Sequence, residues 1–285
     1  MIKLILVHVR RVLGKCLPVA LAVNDDGIDS IGLRSLVIEL QQAGFKVYVS
    51  APREQMSGMS KTVNFKRLGR NGEVEIRRVR MEGAEEAWAL NATPAESVLI
   101  GLELMGFRPD VVVSGVNIGP NLGLEDFFTS GTIGAAIEAS LHGVPAIAVS
   151  LVSYKVMPEK NYMLAGSIAA RLAMSYPIWS RLYDLLNLNV PPSPRGVMVT
   201  RLAVNSYRLR YELNGSSMRF KESDIRESYW DVQEGSDVWA ALNGLVSITP
   251  IRIRALLHDS SDGAPLLVLK RELEELVRSE AHRSE

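Results

Sequence analysis

Asp25 and Asp26 stand side by side between Asn24 and Gly27. Carboxylates held that close repel one another, and a hard cation such as Mg²⁺ or Mn²⁺ relieves the repulsion by taking both as ligands. The same four residues also spell a strand-to-helix turn in which Asn and Asp bond nearby backbone groups. Read alone, the tetrapeptide leaves both possibilities open.

Three further clusters offer matching chemistry. The segment SAPREQMSGMS at 50–60 presents Ser57, Gly58 and Ser60 at a loop tip, with Ser57 as a candidate neutral metal ligand. In SGVNIGPN the amide oxygen of Asn117 suits a hard metal, and Gly115 and Gly119 allow close backbone approach to a ligand. Turn formation accounts for those glycines equally well. The run Thr129-Ser130-Gly131-Thr132 directly precedes IGAAIEASLHG, where hydroxyls and free backbone N–H groups at a helix N-terminus form an anion site. An ordinary N-cap has the same composition. Together the four clusters supply a metal site beside a phosphate cradle, which is the equipment of phosphoryl transfer.

The elements that must position these residues follow from periodicity. LPVALAV at 17–23 is a strand buried on both faces of a parallel sheet, and 30–43 is a helix with Ser30 as N-cap and Gly44 as its stop. KVYVSAP completes a βαβ unit. The alternating segments KTVNFKRL, EVEIRRVRM and EEAWAL within 61–90 read as a small β insertion. Thr93 caps a helix from Pro94 to about Met105, DVVVS at 110–114 is a strand, 132–142 a helix and VPAIAVS at 144–150 a strand. A long helix is expected over 161–183, with GVMVT at 196–200 as the last core strand. From 205 to 257 short alternating strands, RLRYEL and LVSITPIRI among them, form an extended β arm with turns at Asn214-Gly215 and Asn243-Gly244. Three regions result: an N-terminal extension at 1–16, an α/β domain at 17–257 whose core spans about 17–200, and a C-terminal tail helix within 258–285. In such doubly wound α/β sheets ligands bind beyond the carboxyl ends of the strands, which is where all four clusters fall.

Composition narrows the partners. Across 285 residues, 32 Lys and Arg balance 32 Asp and Glu, so no basic field exists for a nucleic-acid polymer or an anionic membrane. No run approaches the roughly 18 to 20 apolar residues that cross a bilayer. Arg10, Arg11 and Lys15 split the apolar runs of the N-terminal segment, which argues against a secretory signal. The single cysteine, Cys16, excludes an internal disulfide and fits a reducing, cytoplasmic setting.

The ordered blocks VNDDGIDSIGL, APREQMSGMS, NATPAESVLIGL, PDVVVSGVNIGPNLG, TSGTIGAAIEASLHGVPAIAVS and EGSDVWAALNGLVSITPI resemble the SurE family of 5′-nucleotidases over residues 17 to 257. The resemblance implies a Rossmann-like three-layer α/β/α core with swapped C-terminal arms that make homodimers or homotetramers. It also implies hydrolysis of nucleoside 5′- or 3′-monophosphates with one divalent metal ion, Mg, Mn or Co, per subunit. Carried over residue by residue, the metal ligands are Asp25, Asp26, Ser57 and Asn117, and the phosphate-binding segment is Ser130, Gly131 and Thr132. Val23, Ala92 and Glu96 depart from the family's usual Thr, Gly and Asp; none is a ligand position. Two rivals share this cradle, a broader phosphatase that shortens polyphosphate and a nucleotide-binding regulator without turnover. A dinucleotide oxidoreductase is disfavoured because Asn-Asp-Asp-Gly stands where G-x-G-x-x-G would follow the first strand.

Some family members carry a His at the position of His258, with an Asp four residues earlier where this chain has Arg254. His258 is therefore a candidate proton donor for the leaving group, the alternative being a surface histidine. Replacing it with Ala is expected to lower turnover about tenfold or more, and an unchanged pH–rate profile in that variant would dispose of the role.

Overall fold

Strand β1, Val19–Val23, alternates its side chains between two cores. Ala20 and Ala22 face one, Leu21 and Val23 the other, and all four are fully buried. A strand with no polar face has to lie inside a sheet covered on both sides. The computed structural model, which describes residues 17–64, 72–204, 210–221 and 232–256, has that arrangement. The chain divides into two compact units, Met1–Ile253 and Arg254–Glu285, and all elements described below belong to the first.

Helix α1, Ile31–Ala43, follows β1. The Ser30 side chain accepts from the Leu33 N–H, and Gly44 ends the helix in the left-handed conformation at φ 104°. Strand β2, Lys46–Pro52, returns parallel to β1. Outside it lie β4, Glu86–Leu90, parallel to β2, and β3, Ile76–Val79, antiparallel to β4. Helix α2, Pro94–Met105, opens with a reciprocal capping box between Thr93 and Glu96 and carries the chain back across the sheet. Strand β5, Val111–Ile118, then pairs with the other edge of β1. Helices α3, Gly123–Thr129, and α4, Gly131–Leu141, lead to β6, Ala146–Leu151, and helix α5, Glu159–Met174, to β7, Leu185–Val190.

The nine-stranded sheet has the order β3-β4-β2-β1-β5-β6-β7-β11-β8, with β8 at Gly196–Val199 and β11 at Leu245–Ile251. Helices α1 and α5 pack on one face, α2 and α4 on the other. The chain winds outward from β1 in one direction, then restarts on its opposite side at β5. The crevice between the carboxyl ends of β1 and β5 is thus the topological switch point, where open α/β sheets bind ligands.

Four expectations change. EAWAL belongs to the main sheet as parallel strand β4, buried because it continues the β2 face. LVSITPI is no part of an arm: β11 inserts between β7 and β8, antiparallel to β7. Core strand β7, LLNLNV, lies beyond the expected long helix, while GVMV joins the sheet as expected, at its edge. The helix itself stops at Met174, and Tyr176–Trp179 forms a separate single turn, α6. Pro177 explains the break, since it donates no N–H and disfavours a helical residue before it. Strands β9, Arg210–Asn214, and β10, Ser217–Lys221, make a hairpin outside the large sheet, with its turn at Gly215. Residues 1–16, part of the expected β insertion at 65–71, the arm segments 205–209, 222–231 and 257, and the tail at 258–285 with His258 lie outside the described residues. Among the described residues no helix is long and apolar enough to cross a membrane. A short helix, α7, Asp237–Leu242, precedes β11.

One contact fixes how closely α1 approaches the switch point. A Cβ on Gly32 would lie 1.9 Å from the Val116 carbonyl oxygen in β5. Helix and strand therefore touch backbone to backbone, and even Ala forces them apart. Gly32→Ala is expected to lower stability by about 1–3 kcal/mol or more, as overpacking does, read from the urea midpoint; an unchanged midpoint would mean the contact is not tight.

Candidate active site

The turn after β1 is locked before any ligand enters. Asn24, wholly buried, donates through Nδ2 to the Gly27 carbonyl at 2.9 Å and to the Ser30 hydroxyl at 2.8 Å. Gly27 has φ 95°, and a Cβ there would meet the Arg53–Glu54 backbone at 3.3–3.4 Å. Glycine satisfies both constraints at once. The Ile28 N–H then donates to the Pro52 carbonyl at 2.8 Å, tying the turn to the end of β2.

Asp25 is 3% exposed. It accepts from the Thr132 hydroxyl, and the Thr132 backbone N–H also bonds it, so the α4 N-terminus holds its charge. Burial, followed by the negative charge of Asp26, pushes the Asp25 carboxyl up to about 7 despite these bonds. Asp26 is also raised by burial, opposed by the Ile118 N–H at 3.1 Å and by the Gln55 side chain. Gly131 makes the close approach of α4 feasible: a Cβ on it would sit 2.9 Å from both Cβ and Oδ2 of Asp25.

The loop bearing Ser57 is docked from both ends. The Met56 N–H donates to the Asp25 backbone carbonyl at 2.7 Å, so Ser57 follows directly on a residue bonded to the backbone of the carboxylate pair. Further on, Ser60 donates through its N–H to Thr129 O at 3.0 Å and through its hydroxyl to Phe128 O at 2.6 Å. Lys61 pairs with Glu138, a buried carboxylate on α4. Gly134 permits this contact, because a Cβ there would lie 2.1 Å from Ser60 O.

Asn117 sits at the end of β5, past a register shift against β6 between Ser114 and Asn117, the kind of bulge that re-aims a side chain. Its Nδ2 donates to Gly119 O at 2.8 Å, which fixes the orientation of the amide. The loop beyond it is held by a buried amide network. The Asn121 N–H donates to Asn189 Oδ1, its side-chain amide to Ser150, and its carbonyl accepts from both Asn187 and Asn189. Asp237, wholly buried at the start of α7, accepts from the N–H groups of Gly123, Ala203 and Val238 at 2.8–2.9 Å. A segment more than a hundred residues downstream thereby shapes the rim.

The crevice thus gathers Asp25, Asp26, Asn117, Gly131 and Thr132, with Ser57 adjoining and Ser130 serving as the α4 N-cap through its bond to Ile133 N at 3.2 Å. His258 is outside the described residues. Thr132 spends its hydroxyl on Asp25 and leaves the helix end as the anion-facing part. Asn24 fills the turn role that its sequence suggests, whereas Gln55 and the Lys61–Glu138 pair escape sequence reasoning; the one visible signal is a lone acid, Glu138, within the small-residue run of α4. No group of three or more His, Cys, Asp or Glu able to hold a metal occurs among the described residues. The donor set is instead two carboxylates with hydroxyl and amide oxygens, an all-oxygen set suited to a hard divalent cation. Two adjacent carboxylates, Asp25 buried and Asp26 half-buried, both raised in pKa by burial, also leave negative charge for a cation to balance.

Comparison with known proteins gives a consistent result. A family model described as "Survival protein SurE" matches residues 20–209. A 5′-nucleotidase SurE from Archaeoglobus fulgidus is 36% identical over 249 residues, 82% of this chain and 90% of the relative. The 5′-nucleotidase SurE 1 of Thermus thermophilus is 34% identical over 250 residues, 82% of this chain and 92% of its own. The crystal structure of a SurE protein from Aquifex aeolicus superposes with a TM-score of 0.71 at 28% identity, covering 89% of this chain and all of that one.

The raised Asp25 carboxyl has a measurable consequence in metal-free protein. The folded chain holds this proton more tightly than the unfolded chain, whose carboxyl titrates near the ordinary value of about 4. Asp25 therefore costs stability progressively as pH rises from about 4 to about 7, and adds no further change above that. Asp25→Asn removes the cost, so in chelator its urea midpoint should exceed wild type at pH 8 and converge with it at pH 4. A variant no more stable at pH 8 would refute the burial argument.

Proposed function

The chain belongs to the SurE family, and from that premise we propose that it hydrolyses nucleoside 5′-monophosphates to nucleoside and inorganic phosphate in the crevice between β1 and β5. One observation carries the reading: the N-terminus of α4 closes on the Asp25-Asp26 pair, with Gly131 in contact with the Asp25 carboxylate. An anion cradle and an acidic pair meet there at one point.

Asp25, Asp26, Ser57 and Asn117 would hold one divalent cation, Mg, Mn or Co, which when bound supplies positive charge to phosphate oxygens and acidifies water. At the segment Ser130, Gly131 and Thr132 the non-bridging oxygens are held by the Ser130 hydroxyl, the Gly131 N–H and the positive field of the helix end, while Thr132 stays bonded to Asp25. Water provides the entering oxygen and Asp25 takes its proton. The bond from phosphorus to the 5′ oxygen breaks, and the departing alkoxide takes a proton for which His258 is the proposed donor. Nucleoside 3′-monophosphates present the same terminal phosphoryl group to this machinery. The β9–β10 hairpin, outside the nine-stranded sheet with Leu213 and Met218 exposed, supports assembly into dimers or tetramers by arm exchange. The lone Cys16 supports a reducing, cytoplasmic location.

Phosphate release from a panel of nucleoside 5′- and 3′-monophosphates and polyphosphate, each with Mg²⁺, Mn²⁺ or Co²⁺, tests the reading. Chelation should abolish turnover, and Asp25→Asn or Asn117→Ala should lower kcat/KM by about 100-fold or more, since even residues behind metal ligands cost 10- to 100-fold. Turnover that survives chelation would sink the metal assignment. Under single turnover in labelled water, label recovered in the Asp25 carboxylate would replace direct water attack with an aspartyl-phosphate route.

A further inference from the structure

Of the four proposed metal ligands, Asp25 and Asn117 are buried, Asp26 is half-buried and Ser57 is exposed on a loop tip. A ligand at a loop tip binds tightly only where something other than burial holds it ready, because ordering the loop on binding costs affinity. The tip has two moorings. On one side Met56 is bonded to the Asp25 backbone. On the other the chain turns at Ser60, whose φ of 51° lies in the left-handed region that residues with a side chain seldom enter. Such a conformation persists only where the surroundings enforce it.

Helix α4 and the residues before it supply the enforcement. The Ser60 N–H and hydroxyl donate to Thr129 O and Phe128 O. A Cβ on Gly134, in the first turn of α4, would sit 2.1 Å from Ser60 O and 2.7 Å from Lys61 N, so loop and helix touch backbone to backbone. From there Lys61 pairs with Glu138, one turn further along α4. The Glu138 side chain is only 5% exposed, against 34% for Lys61, and its other oxygen lies 3.4 Å from Nδ1 of His142 at the helix end. A carboxylate that deeply buried is costly without a cation beside it. His142 belongs to the end of the same helix, whereas Lys61 comes from the loop. The loop cannot lift without taking that cation away.

Resting on the metal-dependent phosphatase reading, we propose that Lys61 is a positioning residue for the metal site: by neutralising buried Glu138 it clamps the loop to the cradle helix and holds the Ser57 hydroxyl ready for the cation. Lys61 touches neither cation nor substrate, so its whole effect on the metal passes through Ser57. The clamp closes on the helix whose N-terminus forms the phosphate cradle. One metal ligand and the cradle are thereby kept in a fixed relation.

The test is Mn²⁺ affinity by titration calorimetry, without nucleotide, on full-length wild type, Ser57→Ala, Lys61→Met, Lys61→Arg and the double variant Ser57→Ala/Lys61→Met. Ser57→Ala and Lys61→Met should each weaken Mn²⁺ binding about tenfold or more, as loss of groups behind metal ligands does, and Lys61→Arg, which keeps the charge, should restore it. The double variant should bind no more weakly than Ser57→Ala alone, because without the hydroxyl the clamp has nothing to position; a general loosening of the fold would add to the loss instead. Should Lys61→Met fail to fold, Lys61→Met/Glu138→Gln leaves no bare buried charge and carries the same comparison. Unchanged affinity in the Lys61 variant, additive losses, no restoration by Arg, or a wild type that binds no Mn²⁺ would each overturn the clamp. If the Mn²⁺ pattern holds while wild type releases no phosphate from any nucleotide, the phosphatase reading fails and the clamp stands.

Discussion

The structure is organised around two neighbouring carboxylates, one buried and one half-buried, at the carboxyl end of a central strand. Burial and mutual repulsion both oppose their charge, so the surroundings must offset that cost with directed donors. They do so from three sides. The α4 N-terminus supplies the Thr132 hydroxyl and N–H to Asp25, β5 supplies the Ile118 N–H to Asp26, and the loop after β2 supplies Gln55. Each donor comes from a different element, which is why the site exists only in the assembled fold. The glycines at 32 and 131 serve the same end by letting α1 and α4 reach van der Waals contact with backbone and carboxylate.

The rim depends on distant sequence in a less obvious way. Strand β11 lies between β7 and β8 inside the sheet, and the helix before it brings Asp237 against Gly123 and Ala203. Asn187 and Asn189 on β7 reach the Asn121 backbone from below. The loop between Asn117 and α4 is thereby fixed by residues from three later elements. A buried network with nearly every polar group partnered rigidifies what it touches, at the cost of tolerating few substitutions.

This distribution explains what the sequence made legible. Val19–Val23 stands out because a strand buried on both faces must be apolar throughout, and α1 and α2 announce their ends through Ser30, Gly44 and Thr93-Pro94. LLNLNV resists the same reading because its period-two asparagines look like a wetted face, whereas they point into the Asn121 network. LVSITPI resembles an outlying strand for the same reason, with Ser247 and Thr249 buried among neighbours on the sheet. GVMV is legible as a strand of the sheet from its apolar residues, although it lies at the edge with Val197 and Val199 exposed. At the site, residue types and ordered blocks single out Asp25, Asp26, Ser57, Asn117 and the Ser130–Thr132 run. No local pattern encodes that Thr132 turns to Asp25 across 107 positions. That contact is a property of topology, since it arises only where β1 and α4 meet at the switch point.

The same contact bears on how the proposed substrate and cation relate. In a dinucleotide fold the helix after the first strand greets a pyrophosphate with glycine backbone. Here that helix is capped by Ser30, and an acidic pair stands before it, so the first helix end repels a phosphate. The cradle moves to α4, but its N-terminus is already engaged by Asp25. A phosphate dianion arriving alone would meet two carboxylates and a helix end whose positive field is partly spent. A cation shared by Asp25 and Asp26 would change both terms at once, drawing carboxylate charge toward itself and returning the helix dipole to the phosphate. Under the proposed function, metal and phosphate therefore bind cooperatively by electrostatic necessity, and the Thr132–Asp25 bond is the element through which each favours the other.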